Sequence, residues 1–280
     1  MSNQIKLISA LFIFFYLGII TNIFCQLPGN RNIALNEGIG NTTTTNTNYG
    51  AGMGNIAGIA DIGDIIVGTS YRFVPELEGF NTASLALVVP VNIGSFGLGI
   101  SRFGDELFNQ QMVSVGYANT FGIASLGVKA GYLQYSIDGY GSKGVILIDF
   151  GGIAKLTEEL LIGAHITNFN QSKLAELEDE RVPTILALGM SYRPSTQVMV
   201  NLEVEKDIDF NPVFKFGVEY KIIEQVSLRT GINTKPNRQF YGFGLRPNNI
   251  PVMLDYTFSN NKLPGTAHQL GIGYKIKSRK

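Results

Sequence analysis

Residues 213–233, VFKFGVEYKIIEQVSLRTGIN, set large apolar groups against polar ones at every second position, twice across a short turn. Phe214, Phe216, Val218, Tyr220 and Ile222 fall on one side of an extended strand, and Lys215, Gly217, Glu219 and Lys221 on the other. After the turn, Val226, Leu228 and Ile232 oppose Ser227, Arg229, Gly231 and Asn233. Period-two alternation predicts β-strands with one apolar and one polar face. The same alternation recurs in 197–205, 252–258 and 269–277.

Extended runs separated by turn signals continue from Asp64 to the C-terminus. They predict strands near 64–74, 81–90, 95–103, 110–119, 122–136, 143–153, 159–169, 184–193, 196–206, 212–222, 225–234, 238–246, 250–259 and 267–277. Fourteen strands of about ten residues match the length that crosses a bilayer at a tilt. The turns 91–94, 120–121, 194–195, 223–224 and 247–249 are tight and 154–158 slightly longer, whereas the alternate connections are longer, as in 170–183. Short turns at one end and longer loops at the other mark a transmembrane antiparallel β-barrel of the outer-membrane kind. A soluble sandwich would also alternate. Strand regularity, the two loop classes and the N-terminal segment favour the barrel. The apolar side of Phe214 is then predicted to face lipid and the Lys215 side a polar lumen.

Composition changes this picture little. Only 16% of the 280 residues are charged, with 22 basic against 22 acidic and 33 Gly. Zero formal net charge leaves no electrostatic footprint for nucleic acid. Trp is absent, so the 12 Tyr and 18 Phe would have to form the interfacial aromatic girdles.

The first 25 residues read as a signal peptide, with a basic n-region and an apolar run over 7–24. An uncleaved anchor is the competing reading. Cys25 is the only cysteine, which excludes an intramolecular disulfide. It is either removed with the signal or acylated. Residues 26–60, rich in Gly, Thr and Asn, show no lasting periodicity and would be ordered only if something enclosed them. They divide the mature chain into an N-terminal plug segment, 26–60, and the barrel, 61–280. A disordered periplasmic leader is the alternative for 26–60.

Several stretches resemble the fourteen-stranded FadL-like outer-membrane proteins, and among them the PorV/PorQ-type proteins associated with type IX secretion. They are GMGNIAGIAD (52–61), LLIGAHITNF (160–169), RVPTILALGMSYR (181–193), EVEKDIDFNPVFKFGVEYKI (203–222) and VSLRTGI (226–232). The family's Gly-Met-Gly stretch corresponds to Gly52, Met53 and Gly54. Its Asn-Pro-Ala-Gly run corresponds to Asn55, Ile56, Ala57 and Gly58, with Ile56 where Pro is usual. The resemblance implies that the segment before the first strand folds back as a hatch inside the barrel.

Lys129, Asp149, His165, Arg193, Glu203, Glu219, Arg229, Arg246 and Asp255 are predicted to point into the lumen. There they would either select a solute or pair across it and anchor the plug, and pairing is preferred. The acidic residues Glu176, Glu178, Asp179 and Glu180 match no EF-hand spacing and read as solvated loop charge. Two His and one Cys offer neither a catalytic triad nor a zinc site, so no enzyme, metal or cofactor is indicated.

Two function classes remain. PorV/PorQ-type resemblance implies a non-enzymatic accessory of secretion or surface assembly, with secretion-machine components or secreted cargo as partners. FadL resemblance implies a transporter of hydrophobic small molecules that enter from outside, displace the hatch and leave through the wall. The short outside loops favour the first, because a capture groove needs long ones. A small passive pore is a third possibility.

Overall fold

The computed structural model describes residues 33–174, 181–261 and 265–277. The segment read as a signal peptide (with Cys25), residues 26–32 and the acidic run Glu176, Glu178, Asp179 and Glu180 lie outside them. Fourteen antiparallel strands close into a barrel in which every strand pairs with its neighbours in sequence and β1 pairs with β14. They are β1 (Ile65–Phe73), β2 (Thr82–Pro90), β3 (Ser95–Gly104), β4 (Phe108–Phe121), β5 (Ala124–Ile137), β6 (Gly141–Lys155) and β7 (Leu160–Thr167). The second half comprises β8 (Ile185–Tyr192), β9 (Val198–Asp207), β10 (Val213–Ile223), β11 (Val226–Thr234), β12 (Asn237–Leu245), β13 (Val252–Asn261) and β14 (Thr266–Ile276). Closure leaves no strand edge unpaired along the sheet order, the condition for crossing lipid with strands.

Both chain ends of the barrel and its short turns lie at one end, here the turn end, and the longer connections form the loop end. By the general rule for outer-membrane barrels, the turn end faces the periplasm.

Alternation sorts the side chains as the strand pattern requires. Phe214 is 58% exposed and Tyr220 45%, whereas Lys215 points inward to Glu203 and Glu205. Val115, Leu126, Phe150, Leu188, Leu202 and Leu228 continue an outward apolar surface around the barrel. An apolar face this extensive is stable only against lipid. β4 and β6 run to 14 and 15 residues, longer than the 110–119 and 143–153 read from the sequence, whereas β5, with 14 residues, has about the length read for 122–136.

Residues 33–62 fill the lumen. The sequence showed no regular structure there, yet the segment forms a short helix α1 (Ala34–Gly38) and two 3₁₀ turns, Tyr49–Gly52 and Ile56–Ile59. Each 3₁₀ turn is capped by an asparagine. The Asn48 side chain accepts from Gly50 N (2.8 Å) and that of Asn55 from Ala57 N (3.1 Å). Such caps satisfy the otherwise unpaired first amides of a helical turn. The first strand begins at Ile65, a few residues beyond the boundary at 60/61 read from composition.

Inward glycines make room for this segment. A Cβ on Gly151 would collide with Asn55 Oδ1, and one on Gly217 with Ile39 O. Around these glycines the lumen is packed.

Candidate functional site

Facing residues of β5 and β6 read as a section through the lumen. From loop end to turn end, the inward face of β5 carries Tyr135, Leu133, Gly131, Lys129, Gly127 and Ser125. The inward face of β6 carries Val145, Leu147, Asp149, Gly151 and Ile153. Register pairs Lys129 with Asp149 and Gly127 with Gly151.

The outermost layer is apolar. Met112, Leu133, Leu147 and Val182 form a buried cluster, with Tyr135, Val145 and Leu174 packed against it. Val182 and Leu174 belong to the connection between β7 and β8, which folds inward here. That connection is tied down by Asn168, whose backbone N donates to Asp149 Oδ1 (2.9 Å) and whose side chain donates to Val182 O (2.8 Å).

The middle layer is an ion pair. Lys129 Nζ stands 3.3 Å from Asp149 Oδ2, both side chains 2% exposed. The same ammonium donates to Met53 O (3.1 Å) and Gly54 O (2.8 Å) of the plug. A buried ammonium is tolerated only with its donors used, and two of these bonds hold the Gly52-Met53-Gly54 stretch. One step towards the turn end, Asn55 Nδ2 donates to Thr44 O (2.6 Å) and Gly152 O (3.3 Å), joining two parts of the plug to the wall. Ala57 packs with Ile153 and Leu161. Gly58 approaches Asn46 O so closely that a Cβ would overlap it.

The innermost layer is open. A cavity of about 720 Å³ at the turn end is lined by Ala57, Asp61, Thr120, Ser125, Ile153 and Arg193, among others. Arg193 lies just past β8, where its Nη2 donates to Thr47 Oγ1 of the plug (3.2 Å). Its position between plug and turn makes it part of this vestibule.

The remaining candidates are distributed around the wall. His165 is buried on β7, opposite Gly151. On the far side, Arg229 bridges Glu219 (2.5 Å) and Asp255 (2.7 Å), and Arg246 reaches both oxygens of Asp255 at 2.8 Å. Glu203 joins the plug to the wall by accepting from Thr44 N (2.8 Å) while pairing with Lys215 (2.9 Å). Lys129, Asp149, Glu219, Arg229, Arg246 and Asp255 thus belong to two separate buried networks.

Sequence reading did not identify the apolar lumen cluster, because alternation assigns large apolar groups to lipid. Its signal was a local breakdown of alternation: Val145-Ile146-Leu147-Ile148 is apolar on both faces.

Solved structures share this architecture. A TodX monoaromatic hydrocarbon channel deltaS2 mutant superimposes with a TM-score of 0.67 at 11% identity, over 89% of this chain and 99% of that one. The Ralstonia pickettii toluene transporter TbuX matches with a TM-score of 0.66 at 13% identity, over 88% of this chain and 98% of that one. The Pseudomonas putida toluene transporter TodX matches with a TM-score of 0.64 at 11% identity over the same shares. At these identities the likeness shows the fold, that of fourteen-stranded outer-membrane barrels. No protein-family model matches the chain, and no curated relative does.

Proposed function

We propose that the protein is an outer-membrane conduit for small apolar molecules, closed in this state by its N-terminal segment. The observation that carries it is the layering along β5 and β6. An apolar cluster lies towards the loop end, a plug held by Lys129 and Asn55 in the middle, and a cavity at the turn end. Charged or strongly hydrated solutes would lose hydration at the apolar layer, whereas a hydrocarbon gains from burial there.

Short outside loops by themselves point away from transport. That inference weakens because apolar side chains of β4, β5 and β6 build the outer apolar layer with help from one longer connection, that between β7 and β8. The secretion-accessory reading rests on sequence resemblance alone. The conduit reading has, in addition, the shared fold of transporters named for toluene and monoaromatic hydrocarbons.

The test is accumulation of radiolabelled toluene by a Gram-negative host that lacks its own hydrocarbon channels and expresses the full chain. Expression is expected to raise the initial rate several-fold, and Leu133→Lys to abolish the gain with the barrel still folded. Equal rates with and without the protein would overturn the proposal.

A further inference from the structure

Opposite the apolar cluster, the loop half of the lumen is polar and cationic. Arg72 of β1 is 6% exposed and lies beside Thr82 of β2 in the register. Arg238 of β12 is half-buried, paired in register with Asn261 of β13, and interacts electrostatically with both Arg72 and Glu37. Glu37 comes from plug helix α1, pairs with Arg72 and is the carboxylate whose charge acts on Arg238.

Glu37 satisfies them poorly. Its Oε1 accepts from Arg72 Nε at 3.3 Å and from Ser259 Oγ at 3.1 Å, while Oε2 is buried without a hydrogen-bond partner. The same barrel shows a well-formed pair, in which Arg246 meets both oxygens of Asp255 at 2.8 Å. Arginine favours such two-pronged contacts with carboxylate or phosphate, so the Arg72–Glu37 contact leaves binding capacity unused.

Unpaired groups lie on the β12–β13 side of this contact. Arg238 Nε and both the nitrogen and the oxygen of the Asn261 side chain are buried without a hydrogen-bond partner, and Asn261 is 5% exposed. Buried donors left unmade are costly, and two guanidinium groups against one carboxylate leave an excess positive charge away from bulk water. Both deficits have one remedy, a second negatively charged oxygen group.

We propose that Arg72, Arg238 and Asn261 form a binding site for a small oxyanion, a carboxylate or phosphate group, that competes with Glu37 of the plug. Access is from the loop end, where Arg238 keeps part of its surface open. Occupancy would replace the Arg72–Glu37 contact and free one of the ties holding α1. This site lies apart from the apolar cluster and does not depend on the conduit reading.

The experiment is isothermal titration of the purified, detergent-solubilised full-length barrel with benzoate and, separately, inorganic phosphate. Folding of each variant is checked by the migration of unheated samples in SDS gels. Saturable binding of at least one probe is expected; benzoate alone would identify a carboxylate site and phosphate a phosphoryl site. Arg238→Gln, which breaks no hydrogen bond of the plug, is expected to weaken that binding at least tenfold. Glu37→Gln is expected to strengthen it at least threefold, because the resident competitor is gone; a merely structural glutamate would not act in this direction. Absence of saturable binding by both probes, or equal affinity in Arg238→Gln, would overturn the site. Weaker binding in Glu37→Gln would overturn the competition. Toluene accumulation is read independently, so either proposal can fail alone.

Discussion

Lys129 and Asp149 face each other across β5 and β6, 3.3 Å apart and 2% exposed, and Lys129 also grips the carbonyls of Met53 and Gly54. One buried cation therefore joins two strands of the wall to the segment that closes the lumen. Its removal has two separable consequences: an uncompensated carboxylate in the wall and a loosened plug.

Lys129→Met is expected to lower barrel stability by about 3–5 kcal/mol, the usual cost of leaving a buried charge without its partner. Lys129→Met combined with Asp149→Leu should recover most of that loss. In both variants the plug is loosened, so planar-bilayer recordings should show higher conductance than wild type. A double variant as silent as wild type would show that Lys129 does not hold the closure.

Gly151→Val tests the plug from the wall side. The added side chain would occupy the place of Asn55 Oδ1, which accepts from Ala57 N. Asn55 must leave, while the β5–β6 and β6–β7 ladders tolerate valine. Limited proteolysis is expected to cut within residues 33–62 at least tenfold faster, with the heat-dependent gel shift of the barrel unchanged.

Leu202→Arg tests the lipid face. Leu202 is 45% exposed at the middle of β9, and its neighbour Asn201 is buried, its amide donating to Thr42 Oγ1 (3.2 Å). Arginine on the lipid face near the midplane costs about 2–4 kcal/mol. Equilibrium unfolding in lipid vesicles should show a loss of this size. Asn201→Ala, which loses a contact with the plug, should cost about 1 kcal/mol.

Across the lumen, Arg229 is held by Glu219 and Asp255, and Asp255 is shared with Arg246. A double-mutant cycle with Arg229→Gln and Asp255→Asn is expected to give a coupling energy of about 1–3 kcal/mol in the same unfolding assay. The pair Lys155–Glu158, with side chains 50% and 83% exposed, should give less than about 0.5 kcal/mol. Similar couplings for both pairs would contradict the burial that separates them.

The sequence by itself determined the strands, their approximate ends and their two faces. Alternation such as Phe214-Lys215-Phe216 is a local property: each Cβ points opposite to its neighbours whatever the rest of the chain does. The Gly-, Thr- and Asn-rich composition before β1 was legible for the same reason, since it cannot form a core of its own. Membership of Lys129, Asp149, Arg229 and Asp255 in the inward set followed from period two alone. Which of them meet did not, because partners depend on register between strands and on the path of the plug. Tertiary structure decided that Lys129 is spent on Met53 and Gly54, that Glu37 meets Arg72 and Ser259, and that Gly151 yields space to Asn55. It also decided that the inward residues Met112, Leu133 and Leu147 meet Val182 to make an apolar layer. Alternation records which residues share a face, but only closure of the sheet around a folded segment determines what that face touches.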